Sequence, residues 1–281
     1  MNMLTLIRLN NRVSGFFAPK HTAQKNMQIF LSPRKFPLKD WEETAESKGE
    51  RLFFGPNLSA IRWGHGPHKI LLMHGWESRA TQMYSIAEPL VAAGFEVIAI
   101  DAPLHGKSAG TKANPLVFAH TIHTANQALG PFYGAIGHSM GAAALAIAKS
   151  KGADLGRYVL ISSPACLYDT LYAFAKFMGL SEKCTQLFIQ YVEAEVGEPS
   201  KALDVGNAMQ DHAACMLIHS KDDLEVPYTS MLAIKNKSSQ ARVFSADKLG
   251  HRKIVRDESI TNLIKDFFQE EASLKKVSSA T

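Results

Sequence analysis

The sequence has only three cysteines, Cys166, Cys184 and Cys215, and no two of them stand in C-x-x-C spacing. An odd, unpatterned set argues against a disulfide framework, a zinc site or a cysteine nucleophile. The plain reading is free, mostly buried thiols in a reducing compartment, the cytoplasm. No apolar stretch is long enough to span a bilayer. The N-terminus lacks an apolar run followed by a small-residue cleavage site, so no secretory signal is read. Histidine is frequent, at 11 residues, yet none stands in H-E-x-x-H spacing. His120 and His123 lie three apart without a third ligand, so no metal and no other cofactor is expected. Internal repeats and low-complexity stretches are absent, apart from a short polar tail.

Acidic residues are missing from the first 39 positions. Seven of the 31 basic residues fall there (Arg8, Arg12, Lys20, Lys25, Arg34, Lys35 and Lys39), which leaves 24 basic against 26 acidic in the remainder. The net charge of +5 therefore belongs to a leader, and nucleic-acid binding by the body is not expected. The leader also carries Leu4, Leu6, Ile7, Val13, Phe16 and Phe17. Docking on the body is the favoured reading. Peripheral membrane contact through residues 1–40, a targeting segment and a solvated arm stand as alternatives.

With 281 residues, 46% hydrophobic and 20% charged, the chain suits one large α/β domain, with or without a small insertion. From about residue 52, short apolar runs alternate with helical patterns. Strands are expected at 58–63, 69–74, 96–101, 132–136, 158–162, 215–219 and 242–245. Most lack period-two alternation, as strands buried on both faces do. Helices are expected at 79–92, 117–129, 140–151, 228–236 and 257–269. The alternation implies a doubly wound, mostly parallel sheet. Between Pro164 and Ala213 the strand signal stops. Two helical runs there, 167–178 and 181–196, carry Tyr168, Tyr172, Phe174, Phe177, Phe188 and Tyr191. These aromatics suit the core of a helical insertion, or a cap whose inner face shapes an apolar pocket. The expected divisions are a basic extension (1–50), a core (51–164 and 213–271), a helical cap insertion (165–212) and a polar tail (272–281).

Residues 137–141 read Gly-His-Ser-Met-Gly. An apolar run precedes them and a strong helix former follows, so this G-x-S-x-G lies on a strand-to-helix turn. Such a turn is too tight for flanking side chains, and it presents Ser139 near a helix N-terminus. A serine nucleophile needs a base, and the base an orienting carboxylate. Downstream stand a loop with Asp222 and Asp223, then Gly250-His251 after the last strand pattern.

Taken with His74-Gly75-Trp76, the segment Asp101–Ser108 and the Asp-Asp-x-x-Val-Pro loop, this sequence resembles α/β-hydrolase-fold serine hydrolases from about Leu52 to Gln269. The resemblance implies Ser139 as nucleophile, His251 as general base and Asp223 as orienting acid, with Asp222 the rival. It implies an oxyanion hole of the Trp76 and Met140 backbone N–H groups. His-Gly-Trp departs from the longer glycine run of one lipase and esterase group. His74, His105 and His138 are read as loop braces, and Glu77 with Arg79 as a local ion pair.

The function implied is hydrolysis of a carboxylic ester or thioester, carboxylesterase-like, with a small-molecule acyl substrate. Cleavage of another acyl bond (amide or carbon–carbon) is one alternative. A non-catalytic small-molecule receptor or binding module on the same fold is another.

Overall fold

The computed structural model describes residues 3–210, 212 and 214–278. Ala213, where the core was expected to resume, and 279–281 of the expected tail lie outside the described residues. Eight strands form one sheet: β1 (Glu50–Phe54), β2 (Leu58–Trp63), β3 (Lys69–Met73), β4 (Glu96–Asp101), β5 (Gly134–His138), β6 (Arg157–Ile161), β7 (Cys215–Ser220) and β8 (Arg242–Ala246). The helices are α1 (Met3–Phe17), α2 (Pro19–Leu31), α3 (Asp40–Ser47), α4 (Tyr84–Ala92), α5 (Pro115–Leu129), α6 (Met140–Ser150), α7 (Leu167–Phe177), α8 (Glu182–Val196), α9 (Val205–Ala208), α10 (Thr229–Lys237), α11 (Gly250–Lys253) and α12 (Glu258–Ser278).

The strand order is β1-β2-β4-β3-β5-β6-β7-β8. β1, β2 and β4 pair antiparallel; every later neighbour pairs parallel. The expected doubly wound, mostly parallel sheet is present. Its apolar runs split between two cores because alternate side chains point to opposite faces. Leu71 and Met73 of β3, with Tyr158 and Leu160 of β6, pack into one core with Phe118 of α5 and Leu145 of α6. Ile70, Leu72, Val159 and Ile161 enter the other, against Ile86 and Leu90 of α4 and Ile264 and Phe268 of α12. α6 is alanine-rich, and every residue from Met140 to Ala148 is buried. Small side chains let this helix lie close on the sheet at little conformational cost.

Three expectations are corrected. β5 starts and ends two residues later than expected. Phe132 is buried in the connection, whereas pairing runs from Gly134 against Ile70 to His138 against Ile161. The glycines at 134 and 137 hid the strand, since they lower strand propensity. β1, an edge strand with one buried residue, gave no sequence signal. The last helix continues to Ser278, into residues read as tail.

The leader forms two helices, not an arm. α2 packs on α8, and α1 is tied to the turn after α7. The Asn11 Nδ2 donates to the Met178 carbonyl at 2.9 Å, and the Arg8 Nε to the Phe177 carbonyl at 2.7 Å. Asn11 and Asn26 are both buried and bond each other. Between β6 and β7 the described chain holds the helices α7, α8 and α9, one 3-10 turn (Ser200–Ala202) and an isolated antiparallel bridge between Cys166 and Asp204. Among the described residues, no helix is long and apolar enough to cross a membrane.

Candidate active site

Ser139 follows β5 directly and caps α6 with φ 54° and ψ −121°. A non-glycine residue at positive φ costs on the order of 1–3 kcal/mol and persists only where its surroundings enforce it. Here they do. The Ser139 N–H donates to the Ile161 carbonyl at 2.9 Å, and its carbonyl accepts from the Ala142 and Ala143 N–H groups. The flanking glycines are required by space. A Cβ at Gly137 would lie 2.6 Å from the Ala142 backbone, and one at Gly141 would lie 2.3 Å from the Met73 carbonyl oxygen. Gly75 abuts the serine: a Cβ there would come within 3.0 Å of the Ser139 Cβ. The 74–76 loop thus lies against the elbow.

His251 is the second residue of α11, beyond β8, and is buried. Its Nδ1 donates to the Asp223 Oδ2 at 2.7 Å. The Asp223 Oδ1 accepts from the Glu225 and Val226 N–H groups, each at 2.9 Å. His219, at the end of β7, brings its Nε2 to 3.4 Å from Oδ2 and 2.9 Å from the Val226 carbonyl. Burial opposes a charge on Asp223, but the bonds from His219, His251 and the Val226 N–H outweigh it. The carboxyl is held far below the usual carboxylate range. Asp222 is exposed and faces elsewhere. Its Oδ1 accepts from the Ser220 hydroxyl and from the Gly250 N–H, so it fixes the loop that carries His251.

Three further histidines hold backbone, as expected of loop braces. The His74 Nδ1 donates to the Gly75 carbonyl at 2.7 Å, and its Nε2 accepts from the Ala102 N–H. The His105 Nδ1 donates to the Pro103 carbonyl, and its Nε2 accepts from the Glu77 N–H. The His138 Nε2 donates to the His251 carbonyl at 2.8 Å. Burial, with His105 adding to it, keeps His74 well below the ordinary histidine range. Burial and the neighbouring His251 push His138 down to about 3.

Ser139, Met140, His251 and Trp76 line one cavity of about 980 Å³. Part of its wall is apolar and comes from elements far apart in sequence: Leu4 and Ile7 of α1, Phe30 of α2, Phe174 and Phe177 of α7. Phe174 stacks on buried Phe188 at 5.4 Å and meets Phe30 edge-on at 5.0 Å. The insertion aromatics therefore serve as both core and pocket wall. Arg34, Glu77, Arg79 and Arg252 also line the cavity. The expected Glu77–Arg79 pair does not form. Glu77 is bound bidentately by Arg34 of the leader, and Arg79 reaches Glu42 of α3 at 3.2 Å. The helical turn starts only at Ala80, and Glu77 has φ 56°, so the two side chains diverge. His219 and Arg34 are the contributors that sequence reasoning missed. Among the described residues no cluster of His, Cys, Asp or Glu could hold a metal ion.

Residues 70–209, from β3 through the elbow to α9, match the profile of the alpha/beta hydrolase family. The chain belongs to the alpha/beta hydrolase family. This family member is similar in fold to several solved structures. The Pyrococcus furiosus esterase Pf2001 is 19% identical, with a TM-score of 0.62 over 85% of this chain and 98% of that one. The thioesterase domain from the curacin biosynthetic pathway is 17% identical, with a TM-score of 0.57 over 79% and 98%. A bacterial membrane phospholipase A is 14% identical, with a TM-score of 0.61 over 95% and 96%. No curated protein matches the chain by sequence.

Proposed function

We propose that this hydrolase cleaves a carboxylic ester or thioester through an acyl-serine intermediate. The observation that carries the reading is one cavity holding both an elbow serine and a histidine bonded to a buried, ionised carboxylate. In the proposed sequence, His251 takes the proton of the Ser139 hydroxyl as Oγ attacks the acyl carbon. Asp223 fixes the imidazole with its Nδ1 protonated, which leaves Nε2 as the base, and it stabilises the imidazolium that forms. The N–H groups of Trp76 and Met140 receive the oxyanion, aided by the N-terminal end of the 11-residue α6. His251 then protonates the leaving alcohol or thiol. Water repeats the cycle on the acyl-enzyme.

The lining of Leu4, Ile7, Phe30, Phe174 and Phe177 suits an apolar acyl chain. The esterase and thioesterase folds among the structural neighbours agree with this class of reaction. The test is labelling with a fluorophosphonate probe and peptide mapping, run with Ser139→Ala and His251→Ala. Label on Ser139 that both variants lose is the expected result. Folded protein that takes no label, or is labelled equally without His251, would overturn the proposal.

A further inference from the structure

α1 has two apolar faces, and the body covers only one. The inner face carries Leu4 and Ile7 into the cavity wall and seats buried Asn11 and Gly15 against the insertion. Met3, Leu6, Leu9, Val13, Phe16 and Phe17 stay exposed. At 100° per residue these six fall in an arc of about 140° on the opposite side of the helix. The exposure is not marginal: Met3 is 72% exposed, Phe16 81% and Phe17 79%. A helix that only docked on its own body would show a polar outer face.

Charge indicates what covers this face. Exposed Arg12 borders the stripe on one edge and exposed Asn10 lies within its arc, while Arg8 is turned toward the Phe177 carbonyl. Lys20 and Lys25 of α2 are exposed, and no acidic residue stands before Asp40. An apolar stripe with a cation on its edge, in a leader of seven basic and no acidic residues, matches an anionic lipid surface: phosphates meet the basic side chains and acyl chains meet the stripe.

We propose that α1 is a docking helix for an anionic phospholipid surface, lying in the interface with Met3, Leu6, Leu9, Val13, Phe16 and Phe17 toward the acyl chains. The inner face of the same helix lines the Ser139 cavity, so docking places that cavity one helix diameter from the lipid.

The test is co-sedimentation of the full chain with vesicles of phosphatidylcholine alone or with phosphatidylglycerol added. It reads binding, not hydrolysis, and so stands apart from the proposed reaction. Expected are partition to the anionic vesicles, weakening as salt is raised, and a loss of about tenfold or more in Phe16→Asp/Phe17→Asp and in Leu9→Asp. Those side chains are exposed, so thermal melts of the variants should match the parent. Absence of partition to anionic vesicles at low salt overturns the proposal. So does parent-like partition of both variants. A dimer by light scattering that the variants disperse, without vesicle binding, assigns the face to a second copy instead.

Discussion

At the scale of single residues, the two neighbouring aspartates make a sharp comparison. Asp223 is buried and held by four polar partners, whereas Asp222 is exposed and ties loop to loop. Asp223→Asn should lower kcat by roughly 10³–10⁴-fold, because an amide stabilises the wrong imidazole tautomer. Asp222→Asn should cost less than about tenfold, since an amide oxygen still accepts from Gly250. Steady-state kinetics on one activated ester decide between them, and the reverse order would move the acid to Asp222. The cysteines also give a prediction. All three are buried, and burial pushes the Cys166 thiol up and that of Cys215 up to about 12. Thiol-selective reagents should leave Cys166 and Cys215 unmodified in folded protein and modify them on denaturation. That Ser139, Asp223 and His251 come together was legible because the proposed chemistry would fix residue types and chain order. His219 was not. It stands four residues before Asp223 on a strand that predicts only burial, and a shared carboxylate follows from the turn between them.

At the scale of elements, Asp101 shows how a sequence motif holds a loop. It ends β4 and accepts from Arg51 of β1, Ser59 of β2, the Ala80 N–H and the Lys107 N–H. The side chain is 1% exposed. Asp101→Ala leaves two N–H groups without their acceptor and Arg51 with Glu46 as its remaining carboxylate, and should cost about 3–5 kcal/mol in urea unfolding. Gly141→Ala drives a Cβ into the Met73 and His74 carbonyls, at the joint between α6 and β3. Neither backbone can retreat, so we expect at least about 3 kcal/mol of destabilisation, or insoluble protein. The central strands were readable from their unbroken apolar runs. β1 was not, because an edge strand is held by Arg51 and backbone pairing more than by buried apolar surface. The leader helices escaped for a similar reason: their partner, the α7–α8 pair, lies more than a hundred residues away.

Over the whole molecule, buried neutral histidines set the response to acid. His74 and His138 stay neutral in the folded chain, while unfolded histidine takes a proton near pH 6.5. The unfolded state therefore binds more protons below that pH, and stability falls as pH drops from about 6.5 toward about 3, where folded His138 also titrates. Each such histidine contributes up to about 1.4 kcal/mol per pH unit. Asp223 acts lower down. Its depressed carboxyl adds stability that is present above about pH 3.9 and lost only below it. Urea midpoints should decline steadily from about pH 7 to about pH 5, and a flat profile across that range would contradict the account.

The union of leader and insertion also has a consequence in time. Arg8 bonds a carbonyl 169 residues further along the chain. At ribosomal rates of about 5–20 residues per second, that seat is made roughly ten to thirty seconds after α1. Through that interval α1 has only α2 against it and its outer apolar face is unclaimed, so this helix is a natural client for chaperones.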